Sequence, residues 1–116
     1  MKKVNIKKIV ERLKKCKVEK VILFGSWAKG KANKYSDIDL LIIKKTRKNP
    51  YRRIPEIRKH LFDIDSAFDI LVMTPKEVEH RLSLGDFFIE EIIKKGKVIY
   101  EAKNNKRLVD KLEMKK

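Results

Sequence analysis

Ile38-Asp39-Leu40-Leu41-Ile42-Ile43 is apolar at five of its six positions. A strand with one wet face alternates apolar and polar residues, so a run like this reads as a strand covered on both faces. Covering both faces requires a sheet with helices packed against it. Asp37 and Asp39 stand at the head of the run. Side chains alternate along a strand, so these two carboxylates point to the same side. Like charges this close raise one another's pKa and destabilise the fold unless a cation answers them.

The remaining elements follow from periodicity and stop signals. Asn5 caps a first helix, with Ile6, Ile9, Val10 and Leu13 along one face. Val18 to Phe24 reads as a strand. Asn49-Pro50 marks a turn, and Pro55 suits the first turn of a helix carrying Ile54, Ile57 and Leu61 inward. Ala67 to Met73 is a third strand. Thr74-Pro75-Lys76-Glu77 is a capping box with proline at the first helical position, and Ser83-Leu84-Gly85-Asp86 repeats the capping logic. The next helix carries Phe88, Ile89, Ile92 and Ile93 and ends at Gly96. Lys97 to Tyr100 is a last strand. The tail after Ala102, with Leu108, Val109 and Leu112 on one side, is either a docking helix or a fraying end.

This order predicts an α+β fold with α/β-type layering: a mixed sheet of about four strands flanked by helices. The second and third strands, joined through a helix, are expected to be parallel with a right-handed crossover. The link from Ser26 to Ser36 is too short for a crossover, so the first two strands are expected to be antiparallel. Gly25-Ser26 then lies beside Asp37-Ile38-Asp39. Asp69, near the start of the third strand, brings a third carboxylate to the same end. Hard oxygen ligands on a rigid strand suit Mg²⁺, and two such ions about 4 Å apart stabilise both the entering and leaving oxygens of a phosphoryl displacement. Gly25 lets a phosphate approach the backbone, and Ser26 can open a short helix whose N–H groups bind the anion.

Each feature alone has a plainer reading. Gly-Ser is usually a turn, and Asp-x-Asp is often a solvated cap. The joint spacing is what sharpens them. Asp63 and Asp65 rival Asp69 but sit at a helix end rather than inside an apolar run. Lys29 and Lys31 either reach a triphosphate or are solvated. Trp27 either stacks on a base or packs against the first helix. Cys16 reads as buried and inert, and His60 and His80, without metal-ligand spacing, as helix-surface residues.

Gly25-Ser26, ten residues, then Asp37-Ile38-Asp39 resembles the signature of the DNA polymerase β-type nucleotidyltransferase superfamily. The length resembles its minimal nucleotidyltransferases, and "FDILVMTPKEV" its third-carboxylate strand and following helix. The resemblance implies Mg²⁺-dependent transfer of a nucleotidyl group, most often AMP from ATP. In the most similar group the protein is the antitoxin of a type VII toxin–antitoxin pair, and it adenylylates a tyrosine of a HEPN-domain ribonuclease toxin. By that likeness Asp37, Asp39 and Asp69 are the catalytic and metal-binding residues, and Gly25 and Ser26 bind the β- and γ-phosphates, with Lys29 assisting. The alternatives are a non-catalytic antitoxin that neutralises its partner by contact, or a basic nucleic-acid-binding subunit.

The 116 residues, 42% hydrophobic, fit one domain over 1–116, with a core of about 18–100 and a basic tail of about 102–116. No segment reads as a membrane span, and the charged start lacks a signal peptide's apolar centre, so a cytoplasmic protein is expected. The net charge is +15, with +7 in residues 1–20, +7 in 44–60, +6 in 94–116 and −6 in 61–93. Such an excess attracts nucleic acid, or reflects the charge enrichment of heat-adapted proteins. We expect weak, non-specific RNA binding only. In fluorescence anisotropy titrations the affinity should fall by orders of magnitude over a few-fold rise in salt. Tight, sequence-selective binding at physiological salt would promote the nucleic-acid reading.

Overall fold

The computed structural model describes residues 5–33 and 35–102. Eight elements follow one another: α1 (Ile6–Lys14), β1 (Lys20–Phe24), β2 (Ile38–Ile43), α2 (Pro50–Arg58), β3 (Phe68–Met73), α3 (Pro75–Ser83), α4 (Phe87–Lys95) and β4 (Lys97–Glu101). The strands form one sheet in the order β3-β2-β1-β4. β1 runs antiparallel to β2, and β2 parallel to β3, as the link lengths predict; β4 adds to the other edge of β1, also antiparallel. Among the described residues no helix is long and apolar enough to cross a membrane. The basic tail beyond Ala102 lies outside the described residues.

The two faces of the sheet bury different sets of side chains, which is why β2 is apolar throughout. Leu23, Ile38, Leu40, Ile42, Ile70 and Val72 share one core cluster with Ile9 and Leu13 of α1 and Ile57 of α2. Ile22, Leu41 and Ile43 pack on the other face with Val78 of α3 and Ile89 and Ile92 of α4. Alternation along β2 and β3 therefore assigns Asp39 and Asp69 to the α3/α4 face. On β4 a register shift opposite Val21/Ile22 lets consecutive residues Ile99 and Tyr100 both reach the α1/α2 cluster.

Helix starts match the sequence signals with two exceptions. Asn5 Oδ1 accepts from Lys8 N (3.0 Å), and Thr74 and Glu77 close a reciprocal capping box. α2 begins a turn earlier than Pro55 suggests: Asn49 is its cap, Pro50 its first residue, and Pro55 lies inside it. An interior proline forfeits a helical hydrogen bond, and Arg53 supplies the anchorage that offsets it. Its guanidinium is buried, donating to Lys48 O (2.9 Å) and Glu77 Oε1 (2.6 Å). The second exception is α4, which Asp86 alone caps, accepting from Phe88 N and Ile89 N. Ser83 is instead the last residue of α3.

Gly96 ends α4 as expected, but with extended backbone (φ −69°, ψ 161°) rather than a left-handed turn. Glycine is needed there because a Cβ would overlap Ile22 Cγ2 and the Ile92 carbonyl. The chain can thus fold tightly from α4 into β4.

Arg53 joins α2 to the cap of α3, so its loss should loosen two elements at once. We expect Arg53→Met to cost about 2 kcal/mol in urea unfolding, as for a hydrogen bond to a charged group. Combining it with Glu77→Gln should cost less than the sum of the two single changes. Strict additivity would show that the pair does not couple the helices.

Candidate functional site

β1 carries the chain to Gly25, and β2 returns it to Asp39. Phe24 is the cross-strand partner of Asp39, so the end of β1 sits directly against the carboxylate. Gly25 has φ +73°, a conformation that side chains rarely adopt, and a Cβ there would overlap Asp39 Oδ2. Glycine at 25 is therefore required twice, by the turn and by the carboxylate. On the other side Asp69 is the parallel partner of Asp39 in register. Asp37 lies two residues before Asp39, ahead of the strand and exposed.

The Asp39 carboxyl is pushed above its ordinary range, first by burial, then by the charges of Asp69 and Asp37. Elsewhere the chain pairs its acids with cations: Asp63 with Arg12, Glu56 with Lys44 and Lys48, Glu77 with Arg53, Asp86 with Arg81. Among the described residues no such ion pair engages Asp37, Asp39 or Asp69.

The loop between β1 and β2 is held by its own contacts. Trp27 packs against the α1/α2 core cluster, and its Nε1 donates to Ser36 O (3.3 Å), so packing rather than an open ring describes it. Residues 25–30 form consecutive turns, with Lys29 N donating to Gly25 O (3.2 Å) and Lys31 N to Ser26 O (2.9 Å). The short helix expected after Ser26 does not extend into a regular helix. Gly30, at φ +70°, closes the turn instead. Asp63 is committed to Arg12, which separates it from Asp69 as a candidate.

A cleft of about 250 Å³ opens beside Asp39. Gly25, Ala28 and Lys29 form one wall, and Phe88, Glu91, Ile92, Lys95 and Gly96 the other, with Phe24 at its base. Phe24 and Phe88 meet edge to face, ring centroids 5.9 Å apart. Ser26, Asp37 and Asp69 lie outside this lining, and Lys31 is exposed. The α4 wall escaped the sequence reading, because nothing in Phe88-to-Gly96 except its amphipathic pattern marks it. Only the folded sheet places that helix across from Gly25.

Among the described residues no three His, Cys, Asp or Glu side chains close into a ready-made cation cage. Mg²⁺ does not need one, since it takes one or two carboxylates and fills its shell with water and phosphate. Hard carboxylate oxygens around a carboxyl of raised pKa fit that mode.

The family model described as "Polymerase beta, Nucleotidyltransferase" matches residues 5–105. The chain belongs to this nucleotidyltransferase family. It is 41% identical over 106 residues to MJ1305 of Methanocaldococcus jannaschii, named as a protein adenylyltransferase, covering 81% of this chain and 70% of that one. In fold the nucleotidyltransferase is similar to a toxin–antitoxin crystal structure with AMP-PNP (TM-score 0.64, 21% identity, 97% of this chain and 87% of that one). It is also similar to a complex of tri-AMPylated Shewanella oneidensis HEPN toxin with MNT antitoxin (TM-score 0.56, 20% identity, 96% and 83%).

The raised pKa of Asp39 has a definite sign for stability. Its folded value exceeds the ordinary 3.8, so the folded state holds the proton more tightly. This group's contribution is therefore best at low pH and is lost as pH rises through the folded pKa. Without metal, Asp39→Asn should raise the melting temperature at pH 7, and the gain should shrink toward pH 4. A variant less stable than wild type at pH 7 would show that the carboxylate is satisfied in the free protein.

Proposed function

We propose that this nucleotidyltransferase moves AMP from ATP onto a tyrosine hydroxyl of a HEPN-domain ribonuclease and so acts as an antitoxin. The observation that carries the reading is the apposition of Gly25 to Asp39, with Asp69 in register beside it. The named activity of the M. jannaschii relative, and the toxin–antitoxin complexes similar in fold, support the chemistry and the partner class.

Asp37 and Asp39 would hold Mg²⁺, and Asp69 would complete the shell of the ion nearest the acceptor. Bound there, the metal supplies charge neutralisation at the α-phosphate and at the acceptor oxygen. Gly25 and Ser26 would receive the β- and γ-phosphates, with Lys29 reaching over them from the cleft wall. A phenol ionises near pH ~10, so at neutral pH it needs help to attack phosphorus. Asp69 would take its proton. The oxygen then bonds to the α-phosphorus, the bond to the bridging oxygen breaks, and pyrophosphate leaves with the electron pair. The added phosphate and base would obstruct RNA at the ribonuclease by charge and by volume.

Co-expression with a HEPN-domain ribonuclease, followed by intact-mass spectrometry, tests this. Wild type should add one or more AMP units to the partner, and Asp69→Asn none. A partner left unmodified yet still silenced would replace transfer with neutralisation by contact.

A further inference from the structure

We propose that Lys95, in the last turn of α4, is a second triphosphate-binding residue acting across the cleft from Lys29. The inference rests on the nucleotidyl-transfer reading and adds to it a residue that the Gly-Ser and Asp-x-Asp pattern does not contain.

The cleft beside Asp39 has two kinds of lining. Phe24, Ala28, Phe88 and Ile92 make an apolar floor, while Lys29, Lys95, Glu91 and Asp39 bring charge to it from separate elements. Lys29 comes from the turn after β1 and Lys95 from α4, so two separate elements bring lysines to the cleft. An anion lying between them and reaching Asp39 through a divalent cation would meet positive charge along its length. Nearby apolar surface excludes water and strengthens such contacts. A chain of phosphates suits this shape better than a single one, because the cationic groups are spread over two walls.

Lys95 is available for the task. Among the described residues it pairs with Glu91, at 3.5 Å on the same helix, with the two side chains 71% and 55% exposed. Exposed pairs of this kind contribute little, so exchange of Glu91 for phosphate meets small resistance. Gly96 fixes the position of this last turn, because its missing side chain lets α4 close onto Ile22 of β1.

The test is isothermal titration calorimetry with inorganic tripolyphosphate, ATP and AMP, each with Mg²⁺. Lys95→Met should weaken tripolyphosphate and ATP about tenfold, as expected for one charge-assisted contact, and leave AMP within about twofold. Lys95→Arg should restore most of the loss, and Glu91→Gln should bind tripolyphosphate at least as tightly as wild type. Melting curves without ligand should match, since Lys95 is a surface residue. Equal affinity of Lys95→Met and wild type for tripolyphosphate overturns the proposal while leaving nucleotidyl transfer standing. An equal loss for AMP and ATP also overturns it, by moving the contact to the nucleoside. A wild-type protein that binds neither ATP nor tripolyphosphate overturns the nucleotide reading and this inference together.

Discussion

Asp39 cannot move away from Asp69, because each belongs to a strand pinned by core on both faces. Ile38 and Leu40, its neighbours along β2, are 1% and 0% exposed, and Ile70, the neighbour of Asp69, is 2% exposed. A side chain on a loop would relieve repulsion by turning into solvent. Here the backbone is fixed by packing, and the end of β1 closes the remaining side through Gly25. Rigid placement holds Asp39 where burial first, and then the charges of Asp69 and Asp37, raise its pKa, so the strain stays in the folded state. Core packing and electrostatic strain are thus one design, in which the first holds the second in place.

The chain's many cations serve the architecture away from that point. Arg12 of α1 reaches Asp63 in the approach to β3, Arg53 of α2 reaches Glu77 in the cap of α3, and Arg81 of α3 reaches Asp86 in the cap of α4. Each links consecutive layers or helices at an end where backbone groups also need partners. The acids in these pairs have no part in the site. Glu77 and Asp63 are held below their ordinary values, each through its arginine first, the opposite direction from Asp39. Acid therefore weakens the ties between elements while relieving the repulsion at the sheet end. Carboxylates of the two groups respond to pH with opposite sign.

The central strand was legible because burial on both faces leaves a mark in composition at Ile38 to Ile43. The pairing of Gly25 with Asp39 was legible because a ten-residue link cannot hold a crossover. Local chemistry also spoke for itself at Asn5 and at Thr74 to Glu77. What escaped depended on partners far along the chain. Pro55 looks like a helix start until Arg53 is seen donating to Glu77, 24 positions on. Gly96 looks like a left-handed cap until Ile22 of β1 is seen to occupy the space of its side chain. The α4 wall of the cleft is invisible for the same reason, because Glu91 and Lys95 read as an ordinary surface pair one turn apart.

Three acids in a site proposed for an anionic substrate need an account, since this chain had lysines to spare. The acidic and basic ends of β2 and β3 lie about 17 Å apart, the length of a six-residue strand, with Lys44, Lys45, Arg47 and Lys76 at the far end. A net charge of +15 draws an anion toward the molecule. Screening limits that attraction to about 8 Å from the surface at physiological salt, so the nearby charges decide: Lys29 and Lys95 of the cleft lining favour a phosphate chain, while Asp39 within it and Asp37 and Asp69 outside it oppose one. A bound cation would offset those acids, and cation and triphosphate would then raise each other's affinity by the same factor. A lysine in place of Asp39 would attract the phosphates unconditionally, in every complex along the reaction. It would also hold pyrophosphate as firmly as ATP. Carboxylates would instead make attraction conditional on a bound cation, supplied with the substrate and absent without it.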